Sequence, residues 1–230
     1  MTVIVSKPAV NLREELASLR NQGGYQEQQF YFDGLVTNGT FDTDTSGWSV
    51  LLGSGASVSW VSGKARLQDT TNNTSSVFLG QAITTEVGRT YLISANATSF
   101  VNTGAKLYKS DNTAMSSNFV DSAFAAEGEH EFVFVATSTT SYVGGSIYAS
   151  GGTATADFDN ISVFEVDAND EVIHTMPKGW VPKDFYEDGL LQREGSAHDY
   201  EVVYDGFDYY VKPTVAPSAT TQTCVIGVKA

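Results

Sequence analysis

Apolar residues recur along this chain with two different periods. In "SKPAVNLREELASLRNQGG", Leu12, Leu16 and Leu19 stand at i, i+4 and i+7 and would form one narrow stripe along a helix. Asn11 can cap that helix, Glu14 completes a capping-box spacing, and Gly23-Gly24 would stop it. A helix of about ten residues is marginal alone. The stripe is therefore expected to pack on the rest of the chain, on copies of itself or on another protein. The polar, aromatic-bearing stretch "YQEQQFYFDG" that follows reads as a linker.

From Leu35 to Val166 the period drops to two. "ASVSWVS", "KARLQ", "SVFLGQAIT", "TYLISANATS", "HEFVFVAT", "SYVGGSIYAS" and "ATADFDNISVFEV" alternate as strands do, with turn signals at Ser62-Gly63, Asn72-Asn73 and Gly151-Gly152. Many short strands at this spacing predict a sandwich or barrel. Beyond Asp167 the rhythm changes. "YEVVYDGFDYYVKP" predicts a hairpin turning at Asp205-Gly206, and "FYEDGLLQREG" places a second tight turn at Asp188-Gly189. "TQTCVIGVK" supplies a last strand, and Pro213 and Pro217 flank a connecting loop.

Composition supports the all-β expectation and excludes some functions. The 230 residues carry a formal net charge of −14, which repels phosphate backbones and disfavours nucleic acid as a partner. With Cys224 the single cysteine, no disulfide forms within the chain, and Cys224 itself reads as a small hydrophobe. No stretch reads as a secretion signal or a membrane span, so membrane insertion is not expected.

Few residues stand in patterns that carry chemistry. His130, His174 and His198 lack metal-ligand spacing, and there is no phosphate loop or nucleophile elbow. Glu127, Glu129 and Glu131 alternate opposite Phe132 and Phe134, as a solvated strand face would. No enzyme is expected. Sugar binding needs flat aromatic rings with polar neighbours. Alternation puts Tyr142, Ser146 and Tyr148 on one face of their strand, and Ser94, Asn96 and Thr98 on one face of theirs. Trp60, Asn96, Tyr108 and Tyr148 are the candidate glycan-binding residues. Trp48, at the end of "LVTNGTFDTDTSGWS", could be an exposed ring or a core plug.

That stretch, followed by "VSGKARLQ", "VGRTYLISANATS", "GEHEFVFVATSTTSY" and "ADFDNISVFEV", resembles carbohydrate-binding modules of the galactose-binding, jelly-roll type over roughly 130 residues. The resemblance implies that the Asn-Gly-x-Phe and Gly-Trp pieces mark structure and that Trp48 packs inward. It also implies a structural calcium where the first and last strands meet, with Asp159 in the matching region. "FYEDGLLQREG", "DYEVVYDGFDYYV", "VAPSA" and "TCVIGV" resemble a small β module of phage tail fibres, and "KPAVNLREELASLR" resembles a leader of structural proteins of marine tailed phages.

The expected fold is all-β: a jelly-roll β-sandwich with a short N-terminal helix and a small C-terminal β domain. Residues 1–33 would be a helical anchor and linker, 34–166 the sandwich and 167–230 the hairpin module. The expected function is a non-enzymatic virion structural protein at the tail or capsid exterior, a tail fibre or appendage attaching to host-surface glycans. The same parts would suit a capsid decoration protein, or an accessory module of a polysaccharide-degrading enzyme. Expected partners are other virion proteins through the Leu12, Leu16 and Leu19 stripe, further copies of the chain with a trimer favoured, and a host glycan. No cofactor beyond the calcium is expected.

Overall fold

The computed structural model describes residues 27–31, 34–71, 76–148, 152–167, 171–188, 190–195, 199–204, 208–217 and 223–229. Its strands are, in chain order, β1 (Glu27–Tyr31), β2 (Ser49–Leu52), β3 (Ala56–Trp60), β4 (Ala65–Asp69), β5 (Ser76–Thr84) and β6 (Thr90–Val101). There follow β7 (Ala105–Ser110), β8 (Val120–Phe124), β9 (Gly128–Val135), β10 (Thr140–Tyr148), β11 (Ala154–Val166) and β12 (His174–Thr175). The last five are β13 (Trp180–Glu187), β14 (Leu190–Leu191), β15 (Tyr200–Tyr204), β16 (Tyr209–Pro213) and β17 (Thr223–Lys229).

Ten strands make a jelly-roll-like sandwich of two five-stranded antiparallel sheets, ordered β2-β5-β10-β7-β8 and β3-β4-β11-β6-β9. Alternation builds the core: Leu79, Leu107 and Ile147 from the first sheet meet Leu67, Ile93 and Phe158 from the second. Ser62 and Gly63 both have positive φ, and Val61 and Lys64 exchange two backbone hydrogen bonds across them, as a type I′ hairpin requires.

The remaining strands form a four-stranded sheet, β1-β17-β13-β14, and a three-stranded one, β12-β16-β15. Phe185 and Val225 from the former pack on Tyr200 and Val211 from the latter, with Met176 closing the cluster. Tyr204 and Tyr209 pair across β15 and β16, with ring centroids 4.7 Å apart. The turn expected at Asp205-Gly206 lies outside the described residues.

Two expectations change. The fold class is corrected on its helix: the described residues contain strands and turns but no helix. The segment bearing Leu12, Leu16 and Leu19 lies outside the described residues. Second, the stretch read as a linker contributes β1, which pairs with β17 from Glu27↔Val228 to Tyr31↔Cys224. Backbone donors and acceptors of an edge strand seek a partner whatever their side chains suggest, and β17 supplies one. The chain thus lays down one strand of the small unit, builds the sandwich, and returns to complete the unit. The sandwich's ends lie together, with the Leu35 amide donating to the Val163 carbonyl at 2.9 Å.

Where the two units meet, Val166 bridges Val172, and Phe164, Val166 and Val172 pack on Leu92 and Val133. Arg89 binds Asp208 at 2.9 Å and Glu165 at 3.4 Å, tying the loop before β6 to the end of β11 and to the residue preceding β16. A cavity of about 110 Å³ lies beside them, lined by Leu35, Tyr91, Phe164, Glu165, Ile173 and His174 among others.

Candidate functional site

The segment before β2 is structural. Trp48 is buried, and its indole N–H donates to the carbonyls of Thr37 at 2.9 Å and Asn38 at 3.1 Å, with its ring against Phe41. Asn38 holds φ +53° while its amide nitrogen donates to the carbonyls of Asp44 and Ser46. Gly39 abuts β11: its carbonyl accepts the Ile161 amide, and a Cβ there would stand 1.9 Å from the Ile161 carbonyl oxygen. Only glycine allows that approach. Trp48 is a core plug.

The four candidate residues occupy three surfaces. Register puts Tyr108 beside Gly144 and Tyr148 beside Ser76 on the outer face of the first sheet. Asn96 pairs with Asp159 and Glu129 on the outer face of the second. Trp60 pairs with Ala65 at the edge strand β3, and its N–H donates to the Phe41 carbonyl at 2.6 Å. The four do not converge.

Tyr108 is a correction, because it is 0% exposed and offers no ring face to a ligand. Gly80 and Gly144 leave a trough in the sheet, and Tyr108 fills it. A Cβ at Gly80 would lie 2.2 Å from the Tyr108 hydroxyl, which donates to the Leu79 carbonyl at 3.1 Å. Burial raises the phenol well above its ordinary range. Phe119 lies over the ring, with centroids 6.2 Å apart and planes at 24°, and Phe78 meets it edge-on at 5.0 Å.

Tyr148 remains open. It is 43% exposed at the end of β10, and its backbone is held by the Thr103 hydroxyl, which donates to the Tyr148 carbonyl at 2.8 Å and accepts its amide at 3.0 Å. On the same face, two residues back, Ser146 is fully buried and its hydroxyl finds no hydrogen-bond partner in the protein. Register sets Ser146 opposite Lys106 on β7 and Phe78 on β5. Lys106 reaches Asp121 on β8 at 2.8 Å, with both side chains partly open to solvent. A ring and an ammonium therefore share one end of one face, the ammonium reaching a carboxylate that stands opposite Tyr108, while the Ser146 hydroxyl is enclosed. Such a set can stack on a pyranose and both donate to and accept from its hydroxyls. Alternation had linked Tyr148 to Ser146, but Lys106 and Asp121 required the pairing of β7 with β8 and β10.

Much of the outer face of the second sheet is tied up internally, although the buried side-chain oxygen of Asn96 finds no hydrogen-bond partner in the protein. Arg66 makes a two-pronged pair with buried Asp157 at 2.6 and 2.7 Å, Lys64 donates to Thr98, and Ser94 bonds Ser162. Glu129 and Glu131 are exposed, with Phe134 buried on the opposite face, and Glu127 accepts the Phe100 amide at 3.0 Å. Asp159 accepts the Asn160 amide at 2.7 Å, and burial raises its carboxyl above the usual range, with nearby Asp42 adding to the effect. Among the described residues no three His, Cys, Asp or Glu side chains are grouped to hold a metal.

No protein-family model matches the chain, and no curated protein does. Solved structures match it in part. A CBM4 carbohydrate-binding module shares 19% identity, covering 56% of this chain and 99% of its own, with a TM-score of 0.45. A family 16 carbohydrate-binding module shares 17%, covering 57% of this chain and 99% of its own, with a TM-score of 0.38. The enzymatically active domain of tailspike protein 4 of bacteriophage CBA120 shares 15%, covering 58% of this chain and 21% of its own, with a TM-score of 0.43.

Proposed function

We propose that this protein is a non-enzymatic glycan-binding appendage of a virion, a tail fibre or similar structure, whose sandwich attaches to glycans on the host surface. The observation that carries the binding role is the group at the end of the first sheet's outer face. There an open Tyr148 ring shares the face with Lys106, which lies one strand away opposite Ser146 and whose ammonium reaches Asp121. Aromatic stacking supplies affinity without demanding exact hydroxyl stereochemistry, and the polar groups supply selection. Support for the virion setting is the likeness of "FYEDGLLQREG" and the segments after it to a tail-fibre module. Self-association, with a trimer favoured, would use apolar side chains left open on the small unit, among them Leu190, Leu191, Tyr204 and Val215.

The test is a glycan array probed with the full-length protein, beside light scattering of the same sample. Glycan binding by an oligomer, lowered about tenfold or more in Tyr148→Ala with an unchanged melting temperature, is the expected result. A binding monomer would indicate an accessory module of a polysaccharide-degrading enzyme. An oligomer that binds no glycan would indicate capsid decoration.

A further inference from the structure

We infer that the site reads the neutral end of a glycan, one or two sugar units, and not the interior of a long chain. This rests on the binding role proposed above and adds to it the length and charge of the ligand.

The centre of the face is closed. Sugar-binding sheets that accommodate a running chain need a continuous depression across their strands. Here the depression over Gly80 and Gly144 is filled by Tyr108. Phe119, from the segment between β7 and β8, lies over that ring, and Phe78 stands edge-on to both at 5.0 and 5.8 Å. A chain stacked on Tyr148 and extended along β10 toward Tyr142 would have to displace this three-ring cluster. The cost would be that of opening a packed aromatic group, which the contacts of further sugars there would not offset.

The open end is small. Same-face neighbours on a strand are about 7 Å apart, so the step from Tyr148 to Ser146 spans about one pyranose. Lys106, opposite Ser146, borders that step and reaches Asp121 beyond it, and no other exposed ring continues it: among the described residues, Trp60 is the other exposed indole or phenol of the sandwich, and it belongs to the second sheet. The polar groups therefore surround one sugar position.

Charge argues for a neutral sugar. Lys106 is already neutralised by Asp121 at 2.8 Å, and the chain carries −14 overall, so a uronate or sulfate would meet repulsion and find no spare cation at the site. A carboxylate beside an ammonium suits adjacent hydroxyls, the first accepting and the second donating.

The experiment is calorimetric titration of the full-length protein with glucose, galactose and mannose, with their oligosaccharides up to the hexasaccharide, and with a polyuronate. The expected result is that affinity is complete by the disaccharide, changes by less than about threefold on further lengthening, and is weaker for the uronate. Phe119→Ala, and the milder Phe119→Leu, should retain disaccharide binding and begin to favour longer chains. Wild-type affinity rising about tenfold or more from disaccharide to hexasaccharide would overturn the inference while leaving the binding role intact. Tighter binding of the polyuronate would overturn the neutral-ligand part. Failure of every sugar to bind would overturn the binding role and this inference with it.

Discussion

Two tyrosines on one sheet face do unlike work because of what lies beneath and above them. Tyr108 sits over two glycines and under Phe119, so its hydroxyl is satisfied by a backbone carbonyl and its ring by packing. Tyr148 lies at the strand end and is open to solvent over part of its ring. Tyr108→Phe should therefore cost about 1 kcal/mol, the net worth of one hydrogen bond, and leave sugar affinity unchanged. Chemical denaturation paired with titration checks both. Buried charge follows the same logic. Lys109 is almost wholly enclosed, and its ammonium is met by Asp111 and the Thr137 hydroxyl. Burial alone would raise the Asp111 carboxyl, but hydrogen bonds from Lys109, Asn118 and Thr137 prevail and hold it below the usual range. That carboxylate anchors the start of the segment carrying Phe119.

Among the elements, β10 bears the strictest demands. It is the central strand of its sheet, and Gly144 lies against Gly80 of β5 so closely that a Cβ would stand 2.1 Å from the Leu79 carbonyl oxygen. Backbone at that distance cannot swing aside. Gly144→Ala should destabilise the sandwich by about 3 kcal/mol through overpacking and unseat Tyr108 from its trough. A lowered denaturation midpoint together with increased exposure of aromatic rings to quenchers would show it. An unchanged midpoint would mean that the sheet does not rely on this contact.

For the whole molecule, the joint between the two units is the part most sensitive to pH. His174, packed on Phe185 beside the junction cavity, is pushed by burial from 6.5 down to about 4. Between those values the unfolded chain binds a proton that the folded chain refuses. Stability is therefore full above about pH 6.5 and falls as pH drops toward 4, by at most about 3 kcal/mol. Glu165 works in the opposite sense. Burial raises its carboxyl despite Arg89 and a hydrogen bond from Thr175, so the folded state holds that proton more tightly and regains some stability as pH falls. The other charged groups at the joint are Arg89, Glu86 and Asp208, and Lys212 with Asp167 and Glu171. Melting temperatures between pH 7 and 4.5 should decline in the wild type and decline less in His174→Leu; equal slopes would refute the assignment.

How much of this was legible in the chain follows from the range of each interaction. Alternation is local, so the strands of the sandwich, the inward Phe134 and outward Glu131, and the shared face of Ser146 and Tyr148 could all be read from residues two apart. The turn at Ser62-Gly63 was legible for the same reason: its positive φ values are a property of the residues themselves. Which strands lie side by side is decided by packing between residues far apart in sequence, and no local pattern encodes it. So Asn96 and Tyr148 could not be assigned to different sheets, nor Lys106 and Asp121 to Tyr148's face, before the pairing was known. Tyr108 looked like a surface ring because its strand alternates. Only the tertiary structure brought Gly80, Gly144 and Phe119 together around it. The same holds for β1, whose polar side chains suggested a linker while its backbone completed a sheet with a strand almost 200 positions away.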